Sequence, residues 1–144
     1  MRRDVDGDTA SLYERVVLLG QLAASLAAHR ARLLPMGWVP YDDGKTIGTR
    51  HASGVIVADE RHTDGARVTI EDWNDHCEVV WGIFGWAFGT AFFAKGAATD
   101  AGHKAIKERV VEILDMIPLV DDPEVEAKSA SVTHAIWKLT EDYP

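Results

Sequence analysis

The sequence predicts the α+β class, with an antiparallel sheet of about four to five strands and two helices packed on one face. Three observations support this prediction. Residues 79–94 carry no charge, and their large and small side chains alternate with the two-residue repeat of a strand. Shorter alternating segments precede them and are separated by turn residues. Segments with apolar residues at three- and four-residue steps flank this region, as in amphipathic helices. The resulting order of elements is α-β-β-β-β-α-β.

The first helix is predicted over residues 11–34. Ser11 and Glu14 have the spacing of a capping box, in which each side chain satisfies a backbone N–H group of the first turn. Pro35 and Gly37 end the helix. We expect residues 1–9 to form a flexible tail. The buried stripe of this helix would consist of Leu12, Val16, Leu19, Leu22, Leu26 and Leu33.

A long polar connection at residues 36–53 leads into the strands. It contains the turn signal Asp43-Gly44, and connections of this length in a compact domain are often functional or disordered. Asp64-Gly65 then indicates a hairpin, because this dipeptide favours tight turns between strands. The strands are predicted at residues 54–60, 66–72, 77–83 and 84–93.

The alternation in the last of these segments also predicts which face of the sheet is covered. We expect the aromatic side chains to lie beneath the two helices. The small residues would then leave the other face free for backbone or another subunit. The aromatic set is Phe84, Trp86, Phe88 and Phe92, and the small set is Gly85, Ala87, Gly89 and Ala91.

The second helix is predicted to begin with Thr99 as its N-cap and Asp100 in its first turn. Pro118 ends it, because the residue before a proline avoids the helical conformation. A last strand is predicted at residues 132–139, with a short helix from Pro123 as the alternative. The buried stripe of the second helix would consist of Ile106, Val110, Ile113, Leu114 and Ile117.

Composition narrows the classes of function. The length of 144 residues predicts a single domain, 1–144, and the single Cys77 excludes an internal disulfide framework. A net charge of -8 argues against specific nucleic-acid binding through phosphate neutralisation. A membrane helix at residues 79–94 is an alternative to the strands. The uncharged run is shorter than the ~20 residues that a helical span needs, so we expect no membrane contact.

Residues that could carry chemistry are few. The densest cluster, at residues 72–77, contains His76 and Cys77, which could be drawn as a nucleophile pair or as part of a metal site. Neighbouring residues on a strand point to opposite faces, so we do not expect these two to face each other. The six histidines lack the spacing of a helical metal site. The sequence therefore predicts a protein without catalytic residues, metal or cofactor, and a small enzyme is kept only as a minor alternative.

Two segments resemble minor tail components of long-tailed phages, the tail-completion or head–tail connector proteins. The first is the predicted helix ending Arg30-Ala-Arg-Leu-Leu-Pro35 with the following Asp43-Gly-Lys-Thr-Ile-Gly-Thr-Arg-His-Ala-Ser53. The second is Trp81-Gly-Ile-Phe-Gly-Trp-Ala-Phe-Gly-Thr90 with the helix after it. The family usually has a glutamate where this chain has Ala87.

This resemblance implies a non-enzymatic virion structural protein at the phage neck or upper tail. Such a protein would be assembled in the host cytoplasm as an oligomeric ring, by contacts with its own copies and with neighbouring neck or tail proteins. An acidic chain could also line a DNA passage without binding the DNA. The contact residues implied are Asp43, Gly44, Gly48, Thr49, Trp81, Gly85, Phe88, Gly89 and Thr90.

A second hypothesis is a compact acidic immunity or inhibitor protein that binds a basic toxin in the cytoplasm. Acidic residues between the second helix and the last element would steer the toxin toward its site. These residues are Asp121, Asp122, Glu124 and Glu126.

Overall fold

The computed structural model describes residue 15, residues 17–22 and residues 37–144. The chain forms two compact units, Met1–Pro35 and Met36–Pro144. In the first unit, residues 15 and 17–22 are helical, as predicted. The rest of the predicted helix and the predicted tail lie outside the described residues.

The second unit consists of an antiparallel sheet with two helices packed on it, which confirms the predicted α+β class. A short 3-10 turn, Tyr41–Gly44, follows the first strand. The helices are α1 (Ala97–Met116) and α2 (Val125–Asp142). The strands are β1 (Trp38–Pro40), β2 (Arg50–His51), β3 (Gly54–His62), β4 (Ala66–Asp72), β5 (Cys77–Ile83) and β6 (Ala87–Phe93).

The strands follow one another across the sheet in the order β1-β3-β4-β5-β6, and β2 pairs with β3 beside β1. The polar connection that the sequence predicts before the strands therefore supplies two short strands at one edge. The predicted hairpin at Asp64-Gly65 is confirmed, and Gly65 adopts a φ of +107°, which a glycine adopts without strain. At the opposite edge, β6 pairs with β5.

The core lies between one face of the sheet and the two helices. Alternate residues of β4 and β5 point into it, and Trp81 is its largest fully buried side chain. Burial of each large apolar side chain contributes on the order of 2 kcal/mol to stability. The helices contribute Ile106, Val110, Ile113, Leu114, Val132 and Leu139 to this core.

The predicted covering of the aromatic set is wrong for three of its four residues, whereas Trp86 is half-buried and packs against the core. Phe84, Phe88 and Phe92 are 61%, 87% and 57% exposed, and the face that bears Phe88 and Phe92 is the one opposite the helices. Gly89 instead faces the core, because it lies opposite Trp81 in the ladder and the indole fills the space above it. A Cβ on Gly89 would lie 2.5 Å from Cζ2 of Trp81. The large residue that needs the glycine is therefore on the neighbouring strand.

The predicted last strand is also wrong, because residues 125–142 form α2. Val132 and Leu139 are both buried, and Ala135 and Ile136 between them pack against the core at helical spacing. The alternative of a helix in this region is therefore correct. None of the described helices combines the length and the apolar character that a membrane span requires.

The predicted N-cap of α1 is displaced as well. The helix begins at Ala97, after Gly96, so Thr99 lies within its first turn. Thr99 is buried, and its hydroxyl donates a hydrogen bond to the carbonyl oxygen of Ala94 at 2.8 Å. The side chain thus ties the helix start to the end of β6.

Candidate functional site

The face of the sheet opposite α1 and α2, which we call the open face, gathers the exposed aromatic residues and a group of charged ones. Phe88 and Phe92 alternate on β6 with the half-buried Thr90 between them. Phe84 lies in the turn before β6, next to Gly85, whose φ of +80° suits the tight reversal. The structure therefore places Gly85, Phe88 and Thr90, all predicted as contact residues, at one side of the molecule.

Two of the predicted contact residues lie elsewhere. Trp81 is 1% exposed and Gly89 lies against its indole on the helix side of the sheet. A partner therefore could not reach Trp81, or the core-facing side of Gly89, without opening the core. Both residues therefore belong to the packing of the core, and the contact role that the resemblance implies for them is wrong.

The four predicted contact residues in the connection between β1 and β2 lie in consecutive turns. Asp43, Gly44 and Gly48 have positive φ angles of 54°, 78° and 81°. The N–H group of Gly48 donates to the carbonyl oxygen of Ile56 at 2.8 Å, and the hydroxyl of Thr49 donates to the carbonyl oxygen of Thr46 at 2.6 Å. The first bond attaches the connection to β3, and the second closes a turn within the connection.

A buried carboxylate, that of Asp59 on β3, lies on the open face. The side chain of Asp59 is 0% exposed and accepts two hydrogen bonds from Arg67, at 2.8 Å to Nε and 2.7 Å to Nη2. The hydroxyl of Thr69 donates a third, at 3.0 Å. Burial alone would raise the pKa of Asp59, but the hydrogen bonds from Arg67 and Thr69 hold it below the ordinary value. Tyr41 lies under the guanidinium of Arg67, with its ring centre 3.7 Å away.

A shallow cavity of about 430 Å³ opens beside this carboxylate. Its polar wall includes His51, whose Nδ1 lies 2.9 Å from Oε1 of the buried Glu71. Its other wall is aromatic. The side chains that give the cavity its character are Arg50, His51, Arg67, Glu71, Phe84 and Phe88.

His76 lies in the turn between β4 and β5 with a carboxylate at each ring nitrogen. Nδ1 is 2.7 Å from Oδ1 of Asp75, and Nε2 is 3.2 Å from Oε1 of Glu78. The ring stacks on Trp73 and also contacts Phe92. Hydrogen bonds first to Asp75 and then to Glu78 raise the pKa of His76 above its ordinary value, because they favour the imidazolium.

We therefore expect the ring of His76 to titrate above its ordinary pKa of 6.5. Since the folded state binds this proton more tightly, the stabilisation is fully present below pH 6.5 and is lost as the pH rises through the folded pKa. An NMR titration of the His76 ring protons measures this value directly. Glu78→Gln should lower it, and a wild-type value at or below that of a free histidine would refute the assignment.

The neighbouring Cys77 points away from His76. It is buried on the helix side of β5, with its thiol 3.6 Å from Oδ1 of Asp72. His76 instead contacts Phe92 of the open face. The expectation that these two residues do not face each other is confirmed. Within residues 15, 17–22 and 37–144, no three His, Cys, Asp or Glu side chains converge as metal ligands would.

The acidic residues between the helices have unequal environments. Asp122 is half-buried and accepts hydrogen bonds from Nζ of Lys128 at 2.6 Å and from the N–H group of Glu124 at 2.8 Å. The hydrogen bond from Lys128 is the larger cause of a lowered pKa at Asp122. Asp121 and Glu126 are exposed. Asp122 therefore stabilises the start of α2 through its hydrogen bonds with Glu124 and Lys128.

Sequence reasoning missed several residues that the structure singles out. Arg61 and Arg67 lie opposite each other on β3 and β4, so they share the open face. Leu119 and Val120, which precede the acidic residues, are 75% and 100% exposed. A signal for Leu119 and Val120 exists in the sequence, since two large aliphatic residues stand between Pro118 and a run of acids.

No family model matches this chain, and neither a curated protein nor a solved structure matches it.

Proposed function

We propose that this chain is a non-enzymatic structural protein that assembles through protein–protein contacts made by its open face. The particle that it builds would be a phage-like one, with the chain at the neck or upper tail as part of an oligomeric ring. The exposure of Phe84, Phe88 and Phe92 on one side of the molecule is the observation that carries the proposal.

Three exposed phenyl rings on one side are costly to leave in water. Burial of each ring in an interface would contribute on the order of 2 kcal/mol. Aromatic side chains are also enriched among the residues that dominate binding energy in protein interfaces. Neighbouring exposed apolar residues typically mark a contact surface. The open face therefore has the composition of an interface.

The rim of this face supports the same function. In the described part of the chain, β6 pairs with β5 and has no strand on its other side. An unpaired strand edge presents backbone donors and acceptors that another chain can pair with. Phe88 and Phe92 project from this edge strand, so side-chain and backbone contacts could be made together.

The phage assignment rests on the sequence resemblance and on the strands followed by a helix that it shares with residues 54–116; the strand expected after that helix is α2 instead. The net charge of -8 suits a component near packaged DNA, because an acidic surface repels phosphate. The acidic inhibitor receives less support. Lys128 lies within 2.6 Å of Asp122 and 3.8 Å of Glu124, so part of the acidic group is already neutralised within the chain.

Phe88→Ser tests the proposal. We expect the wild-type chain to form oligomers in size-exclusion chromatography with light scattering, and the variant to elute mainly as a 15.8 kDa monomer. Phe88 is 87% exposed, so its loss should leave the fold intact. Trp137→Ser removes another exposed aromatic side chain, from α2, and should retain the oligomer. A wild-type chain that stays monomeric at its highest soluble concentration would refute the proposal.

A further inference from the structure

The open face exposes cations although the protein as a whole is acidic. The carboxylates on its strands are largely covered, with the side chains of Asp59, Glu71 and Glu78 0%, 6% and 17% exposed. Asp75, in the turn after β4, is exposed and pairs with His76. Arg61 is exposed, shares the open face with Arg67, and has no ion-pair partner among the residues that the structure describes. Arg61 lies three strands from Phe88 in the ladder, so the open face is cationic on its β3 side and aromatic on its β6 side.

The connection between α1 and α2 has the opposite character. Leu119 and Val120 stand out from it, and exposed acids lie before and after them in the chain. We call this segment, residues 115–126, the helix turn. Its exposed acids are Asp115, Asp121, Glu124 and Glu126.

The helix turn and the open face lie on opposite sides of the sheet. The helices that the turn connects pack on one face, and Arg61 and Arg67 project from the other, so the two surfaces face different ways. They complement each other in charge, and both carry exposed apolar side chains. A contact between two different surfaces of identical chains joins copies head to tail, and it closes into a ring when the rotation permits.

We propose that the helix turn of one copy docks on the open face of the next. Val120 and Leu119 would enter the cavity of about 430 Å³ against Phe84 and Phe88, with the flanking acids beside Arg61 and Arg67. This inference rests on the proposed function, because it names the partner of the open face as a second copy of this chain.

Single-stranded nucleic acid is the competing occupant, because exposed rings and arginines also bind bases and phosphates. The net charge of -8 repels the phosphates along the whole length of a nucleic-acid strand. It also repels a second copy as a whole, so the local pairing of the helix-turn acids with the exposed arginines is what favours that copy. The complementarity therefore favours the second copy.

Two variants, each with only one of the two surfaces disabled, test the inference. The face variant carries Arg61→Glu and Phe88→Asp, and the turn variant carries Leu119→Lys and Val120→Lys. Each replaces exposed residues and introduces a charge that repels the other surface. Alone, each should be a monomer, because one of its two surfaces is disabled. Mixed in equal amounts, they should form a complex of twice the 15.8 kDa chain mass, since one intact turn meets one intact face.

The outcomes separate the two proposals. If the wild-type chain oligomerises but the mixed variants remain monomers, the head-to-tail contact is refuted and the assembly function stands. If the wild-type chain is monomeric, both fail. A fluorescein-labelled single-stranded oligonucleotide that binds the wild-type chain but not the face variant would also overturn the inference. Circular dichroism confirms folding of each variant, and Trp137→Asp, at an exposed residue of α2, should oligomerise as the wild type does.

Discussion

Gly89→Ala is expected to lower the free energy of unfolding by about 1–3 kcal/mol, although it adds one methyl group. The new Cβ would lie 2.5 Å from Cζ2 and 2.7 Å from Cε2 of Trp81. The indole is buried and cannot move aside without disturbing the core beneath the helices. Either the strand or the ring must therefore shift, and the packing around Trp81 is lost. Urea unfolding followed by tryptophan fluorescence measures the change.

Gly82→Ala is the matched control. Gly82 belongs to β5 and faces the other way, where a Cβ would meet its nearest atom at 3.9 Å, an ordinary contact. This change should leave the stability within about 0.5 kcal/mol of wild type, or raise it slightly, because alanine restricts the unfolded chain. If Gly89→Ala were tolerated as well as Gly82→Ala, the assignment of the faces of β6 would be wrong.

Asp59→Ala is expected to cost about 3 kcal/mol of stability. The substitution removes the acceptor of both Arg67 hydrogen bonds and of the Thr69 hydroxyl, at a position where the carboxylate is fully buried. The guanidinium of Arg67 is 32% exposed, so water can screen part of the charge that remains. Thermal and chemical denaturation at pH 7 measure the loss. Asp121→Ala, which removes an exposed carboxylate, should change stability by less than about 0.5 kcal/mol.

The pH dependence of the free energy of unfolding gives an independent check on the ion pair of Asp59 and Arg67. The pKa of Asp59 is lower in the folded state than the ordinary 3.8, so its contribution is present above that pH and is lost as the pH falls through the folded pKa. The stability difference between wild type and Asp59→Asn should therefore shrink in strongly acidic solution. A difference that stays constant down to that range would contradict the ion pair.

Much of the sheet could be predicted from local pattern. The strands predicted at residues 66–72 and 77–83 agree with β4 and β5, because alternation and turn residues together define where such strands start and stop. The helix after the sheet is also predicted from local signals, its apolar stripe and Pro118, although it begins at Ala97 and not after Thr99. Alternation, turn residues and helical apolar spacing can all be recognised within one segment, without knowledge of the segments that pack against it.

The covered face of β6 is a property of two strands, so alternation within one strand could not reveal it. Alternation shows that Phe88 and Gly89 point to opposite sides, but not which side meets the helices. Trp81, across the ladder, decides this, because only glycine leaves room for its ring. The reversal at Gly85 also breaks the parity that the sequence pattern assumed to be continuous.

The error at α2 has a different cause. Val132 and Thr133 are β-branched and favour strands as isolated residues. Packing of Val132 and Leu139 against the sheet outweighs that local preference, since both are fully buried in the helical arrangement. For the candidate site, Phe88 and Thr90 were predicted, whereas Arg61 is recognised only when the register places it beside Arg67.

The order of strands also affects how fast the protein can fold. From β3 to β6, each strand pairs with the one next to it in the sequence, across short turns. Chains whose contacts are mostly local close only small loops before they gain native contacts, and they fold faster than chains with distant pairings. We infer that the hairpins from β3 to β6 form early. The late steps would then be the pairing of β1 with β3 and the docking of the two helices onto the side that carries Trp81.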